Sequence, residues 1–139
     1  MTADEFRKRT KAFALRGIRL ADALPRSLAW TVVARQLIRC MTSVGANYRA
    51  VCRAKSRRDF ISKMLIVEEE CDESLYWMEL LADGGLVKPA RLKELMTEGG
   101  ELLSMVVASI RTARAATQRT PANRNPQSAI RNPQLLEGS

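Results

Sequence analysis

With 139 residues and 46 % hydrophobic side chains, the chain is long enough for one domain with a real core and too apolar for a disordered protein. Its 23 Lys/Arg against 15 Asp/Glu give a formal charge of +8 and an isoelectric point near 10.0, which admits nucleic acid, an anionic membrane or an acidic protein as partner. The absence of histidine removes Glu-x-x-His metal ligation, His-assisted nucleophiles and the usual general base near neutral pH.

In chain order, helical period and punctuation predict four helices and no strand, an all-α class. The first runs from about Asp4 to Leu24, opened by a Thr2-x-x-Glu5 capping box and stopped by Pro25, with a seam of Phe6, Thr10, Phe13, Gly17, Leu20 and Leu24. A second, from about Ser27 to Ala54, carries Trp30, Val33, Leu37, Met41, Val44, Tyr48 and Val51 in steps of three and four. Gly45 inside it marks a bend or a close helix contact. The third starts at Ser56-x-x-Asp59, carries Phe60, Met64, Val67, Cys71, Leu75, Met78 and Ala82, and stops at Gly84-Gly85. The fourth begins near Pro89 and uses Leu92, Leu95, Met96, Leu102, Leu103, Val106, Ile110 and Ala113. Its Gly99-Gly100 pair costs about 2 kcal/mol against Ala-Ala in a helix interior, so a kink or tight packing is expected there. Four such helices with short connections bury their seams as an antiparallel up-down-up-down four-helix bundle over residues 1 to 116. Residues 117 to 139, which repeat Arg124-Asn-Pro-Gln as Arg131-Asn-Pro-Gln without apolar period, are expected to be a disordered tail.

Charge is segregated along this pattern. Residues 1–63 hold 15 Lys/Arg and 4 Asp/Glu, whereas residues 64–100 hold 3 and 9, so one compact body must carry a basic and an acidic region. On the second helix Arg35, Arg39, Thr42, Ala46, Arg49 and Arg53 form a ridge opposite the apolar seam, and Lys55, Arg57, Arg58 and Lys63 extend it. The ridge spans about 27 Å at 1.5 Å per residue, enough to follow several phosphates, and these eight cations are the candidate nucleic-acid contacts. A solvated polar face is the competing reading. On the third helix Leu65, Glu69, Asp72, Tyr76 and Leu80 lie opposite the core, with Trp77 on an adjoining stripe, mixing apolar and acidic groups on a surface one bundle does not need. That surface is the candidate subunit interface; the alternative has Tyr76 and Trp77 packing inside their own bundle.

Catalytic chemistry finds little support. Glu69 and Glu73 share a helix face but have the spacing of ordinary solvated carboxylates, and no Gly-rich phosphate loop appears. Cys40, Cys52 and Cys71 are widely spaced, suggest neither disulfides nor a zinc site, and are expected to be small core hydrophobes. No catalytic residue, metal or cofactor is expected. With no apolar run near the ~20 residues of a membrane span, and a charged start from Met1 to Lys11, a cytoplasmic location is expected.

Through Ser43-Val-Gly-Ala-Asn-Tyr-Arg-Ala50, Arg53-Ala-Lys-Ser-Arg-Arg-Asp-Phe-Ile-Ser-Lys63 and Glu68-Glu-Glu-Cys-Asp-Glu-Ser-Leu-Tyr-Trp-Met-Glu-Leu-Leu81, the chain resembles the bacterial four helix bundle proteins encoded in intervening sequences of 23S ribosomal RNA genes. The likeness covers about residues 5 to 116. It implies an antiparallel bundle assembling as a cyclic homopentamer without known catalytic activity. A related protein, the accessory variability determinant of diversity-generating retroelements, binds a reverse transcriptase and nucleic acid through a basic surface. Many relatives have Ile-Pro at Val44-Gly45, and an acid-bearing Asn-Ile-Ala-Glu-Gly where this chain has Asn47-Tyr-Arg-Ala-Val51, a change that strengthens the basic ridge. The expected function is therefore a non-enzymatic homo-oligomeric scaffold that binds structured RNA or DNA, as accessory to a reverse transcriptase in one setting. The alternative is a protein-protein adaptor whose arginines pair with acids of neighbouring subunits.

Overall fold

The computed structural model describes residues 1–119; the Arg124 and Arg131 repeat and most of the expected tail lie outside the described residues. Within them the chain forms α1 (Ala3–Asp22), α2 (Leu28–Val51), α3 (Arg57–Asp83) and α4 (Pro89–Arg119), with no strand. The predicted starts hold for physical reasons, whereas α1 ends at Asp22 and α2 at Val51, short of the expected Leu24 and Ala54. At α1, Thr2 accepts from the Glu5 amide while Glu5 bonds back to the Thr2 amide, at 3.1 Å each, so two orphan donors are satisfied together. Ser27 caps α2 through the Trp30 amide, and Ser56 caps α3 through the Asp59 amide. Asp59 does not close a box with Ser56; its Oδ2 accepts from the Lys55 amide at 3.0 Å, one residue further back. Beyond α3, Gly85 takes φ +73°, the left-handed conformation glycine adopts without penalty. The last helix runs to Arg119, slightly past the expected edge of the bundle at 116.

The expected seams meet in one core. Phe13, Leu37, Met41, Val44, Val67, Met78, Leu81, Leu102 and Val106 are fully or almost fully buried. Register shows the antiparallel order: Gly17 faces Met41 while Gly45 faces Thr10, Cys40 faces Glu73 while Trp30 covers Gly84, and Gly99 faces Leu75. Gly45 is a close helix contact, since a Cβ there would lie 3.1 Å from Thr10 Oγ1. Of the Gly99-Gly100 pair only Gly99 is packed tightly, 3.0 Å from Leu75 Cδ2, whereas a Cβ on Gly100 would meet nothing.

The seams between α1 and α2, α2 and α3, and α3 and α4 are extensive, and that between α1 and α4 is thin. Polar ties close it. Arg9 Nε donates to Glu98 Oε2 at 2.9 Å, and its Nη2 reaches both Glu98 and Glu101. Arg9 is held well above its ordinary pKa, chiefly by the hydrogen bond to Glu98.

One expectation is corrected here. Cys40 and Cys71 are buried core residues, but Cys52 is exposed, because α2 ends at Val51 and the capping residue turns outward.

Candidate nucleic-acid interface

Arg35, Arg39 and Arg49 are exposed along the outer side of α2, as the four-and-three spacing requires when Leu37, Cys40, Val44 and Val51 turn inward, and Arg53 is exposed in the turn beyond the helix end, where the predicted ridge leaves α2. Their chemical states differ. Arg39 leans onto α3, where Nη1 contacts Glu70 Oε2 at 3.2 Å and Nη2 bonds Glu73. Its charge is thus committed within its own subunit. Lys63 is tied to Asp59 one turn back, at 2.7 Å, and half-buried Arg57 stands beside Phe60 and Ala113. By contrast Arg35, Arg49, Arg53 and Arg58 form no ion pair among the described residues. Lys55 is exposed as well.

Behind Arg39, the buried Cys40 thiol donates to Glu73 Oε2 at 2.9 Å. Burial first, and that carboxylate second, push the Cys40 pKa up to about 12, so the group stays a thiol and a donor. Reciprocally, the Cys40 hydrogen bond and then Arg39 hold the Glu73 carboxyl below its ordinary value. Cys40, Glu70 and Glu73 bring one ligand atom each within 4.8 Å of one another. The guanidinium of Arg39 already fills the cationic position of that cluster, so it reads as an interhelical tie. Glu69 takes no part: it is exposed on the outer face, apart from Glu73.

On the acidic side, Tyr76, Glu69 and Asp72 are exposed, while Leu65 and Leu80 are half-buried. Trp77 packs against its own core, and its Nε1 is aimed toward Glu73 without closing a hydrogen bond. Tyr76 meets the Trp77 ring edge-on at 5.2 Å yet keeps 51 % of its surface open, and Ile66 keeps 42 %.

Three cations that the sequence reading did not single out complete the basic surface. Arg7, Lys8 and Lys11 of α1 face Thr42 and Arg49 of α2 across a groove of about 510 Å³. The small residues Ala14, Gly45 and Ala46 also line it, and no acidic residue does. Arg7 and Lys8 share Asp4 at 3.4 and 3.3 Å in exposed pairs, while Lys11 forms no ion pair among the described residues. The i, i+4 step from Arg7 to Lys11 was visible in the sequence, but which side of α1 meets α2 is fixed by the Gly17 and Gly45 contacts, which a linear pattern does not contain.

No curated protein matches the chain. A solved structure described as a protein of unknown function from the S23 ribosomal protein family of Bacteroides thetaiotaomicron VPI-5482 is similar to it, at 29 % identity and a TM-score of 0.74, over 80 % of this chain and 99 % of that one. The family model for the 23S rRNA-intervening sequence protein matches residues 4–108, most of the bundle. By that match, the chain belongs to the 23S rRNA-intervening sequence protein family.

Proposed function

We propose that this protein is a non-enzymatic, homo-oligomeric scaffold that binds structured RNA or DNA through a basic surface formed by the outer face of α2, the turn after it and the start of α3. The observation that carries the reading is the state of the ridge. Arg35, Arg49, Arg53 and Arg58 are exposed and have no carboxylate partner among the described residues, although α3 is rich in acids. Where a bundle needs an arginine for itself, as at Arg39 and Arg9, it supplies two carboxylates. Cations left without such partners on one strip retain counterions that a phosphate backbone can displace. The membership in a family named for an intervening sequence of 23S rRNA agrees with nucleic acid as the ligand.

Fluorescence anisotropy against salt tests the reading. Binding is expected to weaken steeply as salt rises, and Arg35→Ala with Arg53→Ala to lower the slope of log K against log salt by about two. Absence of any binding to RNA or DNA at low salt by the intact protein would overturn it.

A further inference from the structure

The groove between α1 and α2 has a chemistry that narrows the ligand. Lys11 of α1 and Arg49 of α2 line it together with small residues, among them Gly45, which lets α1 approach so closely that a Cβ there would lie 3.1 Å from Thr10 Oγ1. Arg53, exposed in the turn that follows α2, adds a further cation beyond Arg49. This surface offers phosphate contacts and no exposed aromatic ring on which a base could stack. Tyr48 is turned inward, edge-on to Phe6 at 4.5 Å, and the one aromatic among the large exposed hydrophobics of the described residues is Tyr76, on acidic α3. Proteins that hold single strands gain about 1–3 kcal/mol per base from aromatic stacking, a contribution this surface cannot make. Counterion release then decides, and it favours the denser charge of a duplex, with a slope of about 0.9 per phosphate against about 0.7 for a single strand.

We infer that the α1–α2 groove is a seat for the phosphate backbone of a double helix, engaged by Lys11 of α1 and Arg49 of α2. The inference rests on the nucleic-acid reading above and adds to it the site, the contribution of α1, and the duplex form of the ligand. For about four contacts, raising salt from about 50 to about 200 mM lowers duplex affinity about 150-fold and single-strand affinity about 50-fold.

The test uses the full chain with 20-base-pair RNA and DNA duplexes and each of their separated strands, measured by anisotropy across that salt range. At least one duplex is expected to bind ten-fold or more tightly than its own strands at the lower salt, and the pair of arms shows whether RNA or DNA is preferred. Lys11→Ala with Arg49→Ala, both exposed positions, is expected to lower the duplex salt slope by about two while leaving the helical circular dichroism unchanged. Single strands binding as tightly as duplexes, or an unchanged slope in the folded double variant, overturns this inference and leaves the nucleic-acid reading standing. Failure of every duplex and strand to bind the unaltered protein overturns both.

Discussion

Arg39, Glu70, Glu73 and Cys40 show how one residue's charge can be withdrawn from a surface that looks uniform in sequence. Arg39 has 46 % of its side chain exposed, so its pairs are screened and together contribute up to about 1 kcal/mol. The pH dependence has a defined sign. Glu73 is depressed below its ordinary 4.5 by Cys40 and Arg39, so its stabilising contribution is complete above that value and is lost as pH falls through the lower folded value. Denaturant titrations should therefore find wild type more stable than Glu73→Gln near neutral pH, with the gap closing on the acid side of 4.5. A constant gap across that range would contradict the assignment. Cysteine labelling gives a second residue-level check. Exposed Cys52 should react with a maleimide in the native protein, and Cys40 and Cys71 only on unfolding, because burial shields both thiols and raises each pKa to about 12.

Between helices, glycines set distance and rotation, and the same substitution has opposite effects at two of them. A Cβ on Gly17 would lie 2.7 Å from Met41 Sδ and 2.9 Å from Met41 Cβ, so Gly17→Ala forces α1 and α2 apart. The expected cost is about 1–2 kcal/mol after the helix-propensity gain. Gly100→Ala meets nothing and should stabilise the protein by about 0.5–1 kcal/mol, both read from thermal or denaturant unfolding. The distinction marks what the sequence could convey. The period of three and four placed Leu37, Met41, Val44, Met64, Val67 and Met78 inside correctly, because burial on one face of a helix is a local property of spacing. It flagged Gly99 and Gly100 together, yet only their neighbours on other helices, Leu75 and Phe13, separate a packed position from an open one. The Arg39 ties to α3 and the alignment of Lys11 with Arg49 were hidden for the same reason: interhelical register belongs to the assembled core.

At the scale of the whole molecule, the bundle leaves apolar side chains open beside fields of opposite charge. Leu28 keeps 90 % of its surface exposed and Val32 53 %, one turn before Arg35 on α2, while Ile66 and Tyr76 are open among the carboxylates of α3. Scattered exposed apolar residues are ordinary in a monomer, but a basic strip and an acidic strip on one body suit a heterologous contact, which closes into a ring if its rotation closes. In the proposed assembly, the α3 surface around Tyr76, Glu69 and Asp72 meets the next copy. Light scattering should then find an oligomer at micromolar protein, and Tyr76→Glu, at an exposed position, should reduce it to monomer without loss of helicity. A monomeric wild type would refute the assembly. The Arg35→Ala, Arg53→Ala protein separates the two uses of the ridge. If those arginines are free for phosphate, its mass is unchanged and its nucleic-acid salt slope falls; if they hold the neighbouring copy's acids, the oligomer dissociates and the adaptor reading replaces the nucleic-acid one.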